Sequence, residues 1–263
     1  MSGTDELVVT RSSMSGPPTA MIDAEPWASA TWSERFVDMV TGRPALYDSR
    51  AAALATPDGL RVAMWSEDPY PTATQTERDS IVFADNDVEL FLDFGWGYYE
   101  FEINALGTVY EVMHVWRDTF ATSPFATDPS FSLLEPGVFT FGGDYDRRPA
   151  SFWHGTPPGG VGIVSTTYDF PGLATAVHVD GRLDDDATPS RGRSAEVLLP
   201  WAELSRLSGG AITAAGEWSV PAFVGRFQHL DIGGTSHTAA WCLRAHGVMD
   251  THQPEQFARL RCR

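Results

Sequence analysis

The chain has 263 residues, 43% hydrophobic and 12% aromatic, enough for a sizeable core in one large all-β domain or two small ones. Its formal charge of −17 argues against nucleic acid or an anionic membrane surface as partner, and because all 18 basic residues are arginine a Schiff-base lysine is excluded. Two cysteines, Cys242 and Cys262, make no disulfide framework, and the absence of a signal core or a long apolar run leads us to expect a soluble, cytoplasmic protein.

Residues 1–20 read as a polar, flexible arm in which Leu7-Val8-Val9 has the makings of one edge strand; a single domain is expected over 21–263. Thr31-Trp32-Ser33-Glu34 fits a capping box, with Trp32, Phe36 and Met39 following at helical spacing, so a short helix is predicted there and Trp27 and Trp32 are predicted to pack on the core. Leu46–Ala55 and Leu60–Glu67 read as strands around the Pro57-Asp58-Gly59 turn. Leu60, Val62 and Met64 fall on one face of the second strand, with Arg61, Ala63 and Trp65 on the other.

The stretch from Asp79 to Trp116 reads as three consecutive antiparallel strands. Val88, Leu90 and Leu92 alternate with Glu89, Phe91 and Asp93; Tyr99, Phe101 and Ile103 alternate with Glu100, Glu102 and Asn104. A loop centred on Gly95-Trp96 sets Glu89 opposite Glu102 and Asp87 opposite Asn104, all on the face away from the apolar side chains. Opposed like charges destabilise a sheet unless the face is wet or a cation, an arginine, a shared proton or a hydrogen-bonding ligand offsets them. The face is therefore either an ordinary solvated surface or a polar binding floor.

Residues 117–172 mix aromatics, prolines and glycines without clear periodicity, and their many rings argue against simple disorder. They are read as an ordered excursion folding over one end of the domain. Strands are predicted at Leu173–Val179, Ser194–Leu199, Trp218–His229, Thr238–Arg244 and the C-terminus, with a short helix after Pro200. Nine or more short strands separated by turn signals predict an all-β antiparallel sandwich with a few short helices.

Five segments in order, DNDVELFLD, YYEFEINALGTVYE, SAEVLLPWAEL, GEWSVPAFVGRFQ and DTHQPEQFARL, resemble family 9 carbohydrate-binding modules within the wider DOMON-like sandwich group. The resemblance spans roughly residues 20–262. It implies a sandwich that holds sugars between two aromatic rings, with carboxylate and amide side chains on the hydroxyls and structural calcium common. Glu89 matches the family's sugar-contacting glutamate and Asn104 a family asparagine. Phe83 stands where the first stacking tryptophan is expected, Thr251 or His252 where the second is, and Glu102 where sugar binders often carry arginine. Trp65, Trp96, Trp116 and Trp153 are the rings available as replacements.

The ligand-binding set expected from these readings is Phe83, Glu89, Glu102, Asn104, Trp65, Arg226 and His252, with Arg226 as counter-ion to the acidic face. Asp85-Asn86-Asp87 reads first as a turn before a strand; Asp85 and Asp87 are the candidate calcium ligands. Two function classes follow. One is a non-catalytic module binding a carbohydrate or similar polyol. The other is an intracellular enzyme that reuses the sandwich for cyclisation or isomerisation, with Glu89, Glu102 or His252 as acid or base and residues 117–172 as a lid. A weaker third is a haem-binding relative using Met64, Met113 or Met249, for which core packing is the ordinary role.

Overall fold

The period-two pattern becomes sheet wherever it occurs. In a computed structural model describing residues 3–141, 162–185 and 187–263, fourteen strands follow in order: β1 (Glu6–Arg11), β2 (Val37–Asp38), β3 (Ser49–Ala55), β4 (Gly59–Ser66), β5 (Asp87–Asp93), β6 (Gly97–Asn104), β7 (Val109–Trp116), β8 (Val138–Phe141), β9 (Gly162–Ser165), β10 (Ala174–Asp180), β11 (Gly192–Pro200), β12 (Trp218–Ile232), β13 (Thr235–Cys242) and β14 (Ala258–Cys262). They hydrogen-bond as β10-β11-β4-β3-β1-β14-β12-β5-β6-β7-β9-β8, with β13 on β12 and β2 on β13. All pairs are antiparallel except those of β1, which runs parallel to both β14 and β3.

The two halves of this sheet face each other over one apolar core. Leu60, Val62 and Met64 of β4 and Val197 and Leu199 of β11 meet Leu90 and Leu92 of β5, Tyr99, Phe101 and Ile103 of β6 and Met113 of β7. Strand alternation therefore sends Arg61, Ala63 and Trp65 outward on one half and Asp87, Glu89, Glu100 and Glu102 outward on the other. Met64 and Met113 are core residues.

The N-terminal segment is not a free arm. Leu7 and Val9 are buried between two partner strands, and Thr19 and Ala20 N–H groups donate to Glu196 at 3.0 Å each. Glu196 also pairs with the buried Arg61 at 2.7 Å. The residues that follow lie over the outer face of β3 and β4, where Trp27 packs with Ala52, Leu54 and Ala63. The polar composition of this stretch concealed its anchors, because the groups that hold it belong to distant strands.

The predicted helix after Thr31 does not form either. Ser33 N–H donates to the Ala51 carbonyl at 2.7 Å, its hydroxyl accepts from Ala51 N–H at 3.1 Å, and Phe36 N–H donates to Ser49 O. An extended run along β3 satisfies these groups with tertiary partners, and a capping box cannot compete with that. The helical turn lies earlier, at Trp27–Ser29. The helix after Pro200 does form, as α1 (Trp201–Leu207).

The described parts of the aromatic excursion are ordered. Phe125, Phe131 and Phe170 are buried in the main core, Trp96 packs edge-on to Phe125 at 5.6 Å, and β8 and β9 extend the sheet beyond β7. Trp153 lies outside the described residues.

Candidate functional site on the outer face of β5 and β6

The β5–β6 hairpin has the register expected from its turn: Glu89 faces Glu102 and Asp87 faces Asn104. Gly95 makes the turn with φ of +84°, a conformation glycine adopts without strain. The next turn sets Tyr98 of β6 opposite His114 of β7 and Glu102 opposite Tyr110. On the other side Glu89 faces Gly225 of β12. A Cβ at Gly225 would lie 2.5 Å from Phe223 Cζ and 2.8 Å from the Trp241 carbonyl, so only glycine fits beneath the Phe223 ring.

This face is not wet. Glu89 is 1% exposed, Glu102 3%, Glu100 4% and Asp87 0%. Phe91, Tyr98, Trp116, Phe223 and Phe257 pack beside them, joined by Met39, Ala240 and Cys242. Two hydrogen bonds tie part of the cover down: His246 and Gly247 N–H groups both donate to the Met39 carbonyl.

Two groups of side chains share the face. In the first, Asp87, Glu89 and Glu102 bring one oxygen each to within 4.8 Å of one another. Asp87 Oδ1 accepts from Phe227 N–H at 2.9 Å, but Asp87 Oδ2, Glu89 Oε2 and Glu102 Oε2 are buried without a hydrogen-bond partner. Burial, then the charges of Asp87 and Glu100, raise the Glu89 pKa well above the usual carboxylate range; burial and the charges of Glu89, Asp87 and Glu100 do the same to Glu102. Burial pushes Asp87 up to about 7 against the Phe227 N–H bond and the charges of Arg193 and Arg226.

In the second group Glu100, His114 and His252 are equally close. His114 Nε2 lies 2.7 Å from Glu100 Oε2, and His252 Nδ1 lies 3.8 Å from that oxygen and 2.8 Å from the Tyr98 hydroxyl. The Tyr98 ring stacks on His114 at 4.2 Å, and Phe91 stacks on His252 at 5.9 Å. Burial acts to raise Glu100, yet the His114 hydrogen bond and the charges of His252 and His114 outweigh it and hold the pKa below the ordinary value. Burial lowers His114 despite Glu100 beside it. The two imidazoles thus favour the ionised form of Glu100, in contrast to Glu89 and Glu102.

The expected site residues divide sharply. Glu89, Glu102, Asp87 and His252 come together. Asn104 sits beside them but has no hydrogen-bonding capacity left for a ligand. Its amide donates to Gln75 O at 2.8 Å and Asp85 Oδ2 at 2.9 Å, and its oxygen accepts from Leu106 and Thr108 N–H at 3.0 Å each. Asp85 likewise anchors a loop, accepting from Thr74 N–H and hydroxyl, Gln75 N–H and Asn104. Four donors aimed at one carboxylate do not fit a calcium ligand.

Arg226 is not the counter-ion of the acidic face. It follows Gly225 and so points to the core side of β12, fully buried, where it hydrogen-bonds to Glu67 O at 3.0 Å and pairs with Asp68 at 3.5 Å. Arg193 pairs with the same Asp68 at 3.3 Å. Trp65 lies on the outer face of the opposite half, across from Ser194. Trp96 donates to Leu207 O in the core wall, while Trp116 lies on the acidic face beside Tyr98 at 5.4 Å. Phe83 is half-buried in the turn before β5, its carbonyl 3.1 Å from His229 Nε2. A separate cleft of about 430 Å³ opens near Asp68, lined by Tyr47, Tyr70, Asn86, Gln228 and His229.

No family model matches the sequence, nor does any curated protein match it significantly. Solved structures do match it. A proposed carbohydrate-binding protein from Bacteroides uniformis superposes with a TM-score of 0.58 at 14% identity over 100% of both chains. A family 9 carbohydrate-binding module from Caldicellulosiruptor kristjanssonii in complex with glucose gives 0.54 at 9% identity, over 98% of this chain and 95% of that one. The same organism's family 9 module in complex with cellotriose gives 0.53 at 11%, over 98% and 93%. This chain has the family 9 fold. At such identities the likeness is one of architecture, and what the face binds must be argued from its own residues.

Glu100, His114 and Tyr98 were not singled out from the sequence. Glu100 was legible on the same strand face as Glu102. Extending the hairpin count across the turn at Leu106 would have set His114 opposite Tyr98.

Proposed function

We propose that the protein binds a carbohydrate or polyol-like small molecule on the outer face of β5 and β6. One observation carries this reading: Asp87 Oδ2, Glu89 Oε2 and Glu102 Oε2 are buried together with no hydrogen-bond partner. Polyol hydroxyls are donors of the size and spacing that such oxygens lack, and carboxyls that keep their protons can also donate in return. Phe91, Tyr98 and Phe257 supply apolar ring surface for the C–H face of a sugar. That family 9 modules of the same fold were solved with glucose and cellotriose agrees with this choice of ligand class. Because the carboxylates are covered, a ligand reaches them only when a covering segment moves, so association should be slower than roughly 10⁵ M⁻¹s⁻¹.

The test is a thermal-shift and calorimetric screen against mono- and oligosaccharides, with Glu89→Ala as control. A ligand at a hundredfold excess over its Kd stabilises the native state by about 2.7 kcal/mol. A sugar-dependent shift that disappears in the variant supports the reading; no shift with any sugar rejects it.

A second reading is an enzyme acting on the bound molecule by acid–base chemistry. It is favoured by the position of His252, which comes from the far end of the chain to lie beside Tyr98 and Glu100. Mass spectrometry of the bound sugar separates the two: recovery unchanged supports a binding module, and conversion supports an enzyme.

A further inference from the structure

We propose that Glu100, His114 and His252 form a binding site for one divalent first-row transition-metal ion, of the Fe²⁺, Mn²⁺ or Zn²⁺ class. Each residue offers one ligand atom, and the three atoms lie within 4.8 Å of one another. Neighbouring ligands around an ion bonded at about 2.1 Å sit roughly 3 Å apart, so small side-chain adjustments close the set. Two of its separations, 2.7 Å and 3.8 Å, already bracket that value.

The donor set selects the ion class. Two imidazoles and one carboxylate suit Fe²⁺, Mn²⁺ and Zn²⁺, whereas Ca²⁺ and Mg²⁺ prefer oxygen alone. The three ligands come from β6, β7 and the segment after Asp250, so an ion would also pin the C-terminal segment to the sheet. The surroundings are those of an oriented site. The Tyr98 and Phe91 rings stack on the two imidazoles, and the Tyr98 hydroxyl, 2.8 Å from the His252 Nδ1 that the ion would take, has to turn aside or join as a further ligand.

Charge points the same way. Glu100 is followed along the face by Glu102, Glu89 and Asp87, each with a buried oxygen lacking a partner. Among the described residues no arginine side chain hydrogen-bonds to any of these four carboxylates; Arg193 reaches only the Asp87 backbone carbonyl. Arg226 is held on the other side of the sheet by Asp68. A dication supplies the positive charge that the fold places elsewhere.

The experiment is a metal titration of the full chain after chelator dialysis, run without any sugar, so that its outcome is separate from the polyol reading. Zn²⁺, Mn²⁺ and Co²⁺ are added in turn, and bound metal is measured by elemental analysis. The expected result is one equivalent per chain, with visible d–d bands for Co²⁺. His114→Ala and His252→Ala should each weaken binding by about a hundredfold or more. His178→Ala, on an exposed strand position, should leave binding unchanged. Glu100→Gln, nearly isosteric, guards against loss through misfolding: near-native circular dichroism with lost binding supports the site. Absence of stoichiometric binding by all three ions, or binding indifferent to His114 and His252, overturns it.

Discussion

The two sides of β5 solve the problem of buried charge in opposite ways. On the core side, Asp68 is held between Arg226 and Arg193, at 3.5 Å and 3.3 Å. On the outer side, Asp87, Glu89 and Glu102 lie together with no basic side chain hydrogen-bonded to them among the described residues, and all three pKa values are driven up, first of all by burial. In the first arrangement the carboxylate has cationic partners on Oδ2, although its Oδ1 has no hydrogen-bond partner. The second is complete only with protons, a cation or a ligand. A carboxylate cluster left in that condition costs stability, and fold requirements alone give no reason for it. The difference separates a structural ion cluster from a candidate site more clearly than residue type does.

The largest effect is expected where buried charges of opposite sign are in contact. Asp68→Ala leaves two buried guanidiniums without their carboxylate and should cost about 3–5 kcal/mol in urea unfolding. A loss under 1 kcal/mol would mean that the arginines find other partners and that the contrast between the two sides is false.

Next comes pH, measured on metal-free protein. Asp87 titrates near 3.8 when unexposed to the fold and is raised to about 7 in it. The folded state therefore binds more protons between these values. The contribution is fully present below about pH 4 and is lost as pH rises through 7, with an upper bound of roughly 4 kcal/mol at 1.36 kcal/mol per unit. Glu89 and Glu102, also raised, extend the loss to higher pH. Because the buried His114 and His246, both lowered by burial, gain stability over the same rise, the difference between the wild type and Asp87→Asn at pH 5 and pH 8 measures it; a difference that does not change with pH would show that the patch is already balanced.

A smaller effect follows from Glu102→Gln. Removing one carboxyl from the crowd keeps the shape and should stabilise the protein by about 1 kcal/mol near neutral pH, with a gain that grows as pH rises. Destabilisation instead would assign Glu102 a structural bond.

How much of this was legible in the sequence depended on the range of the interaction. The hairpin register, Glu89 against Glu102, follows from a local turn and a period of two, and it held residue for residue. Burial of that pair was not legible, because its cover comes from Met39, Phe223 and Phe257, far away in the chain. Arg226 was misplaced by one position: Gly225 faces Glu89, so its neighbour must point to the core. Asn104 was placed correctly but its role was not, since Gln75 and Asp85 use its amide. Leu7-Val8-Val9 was legible as a strand but was read as an edge, whereas β1 lies between two parallel partners, β3 and the C-terminal β14. Local pattern fixes which face a side chain takes; tertiary neighbours decide whether that face is wet, paired or left short of partners.

The smallest effect gives the sharpest discrimination between the two sides. The cleft near Asp68 also has polar lining, buried unpartnered acceptors at Asp68 Oδ1 and Gln228 Oε1, and a 44%-exposed tyrosine, Tyr70, suited to stack on a sugar ring. If the ligand sits on the outer face, Tyr70→Ala should leave its Kd unchanged within about twofold, because the ring lines only the cleft, while Glu89→Ala removes binding. The reverse pattern, loss with Tyr70→Ala and indifference to Glu89→Ala, would move the sugar to the cleft. The outer face would then keep its unpaired carboxylates for the metal ion alone, since the cation argument rests on Glu100, His114 and His252 and needs no sugar.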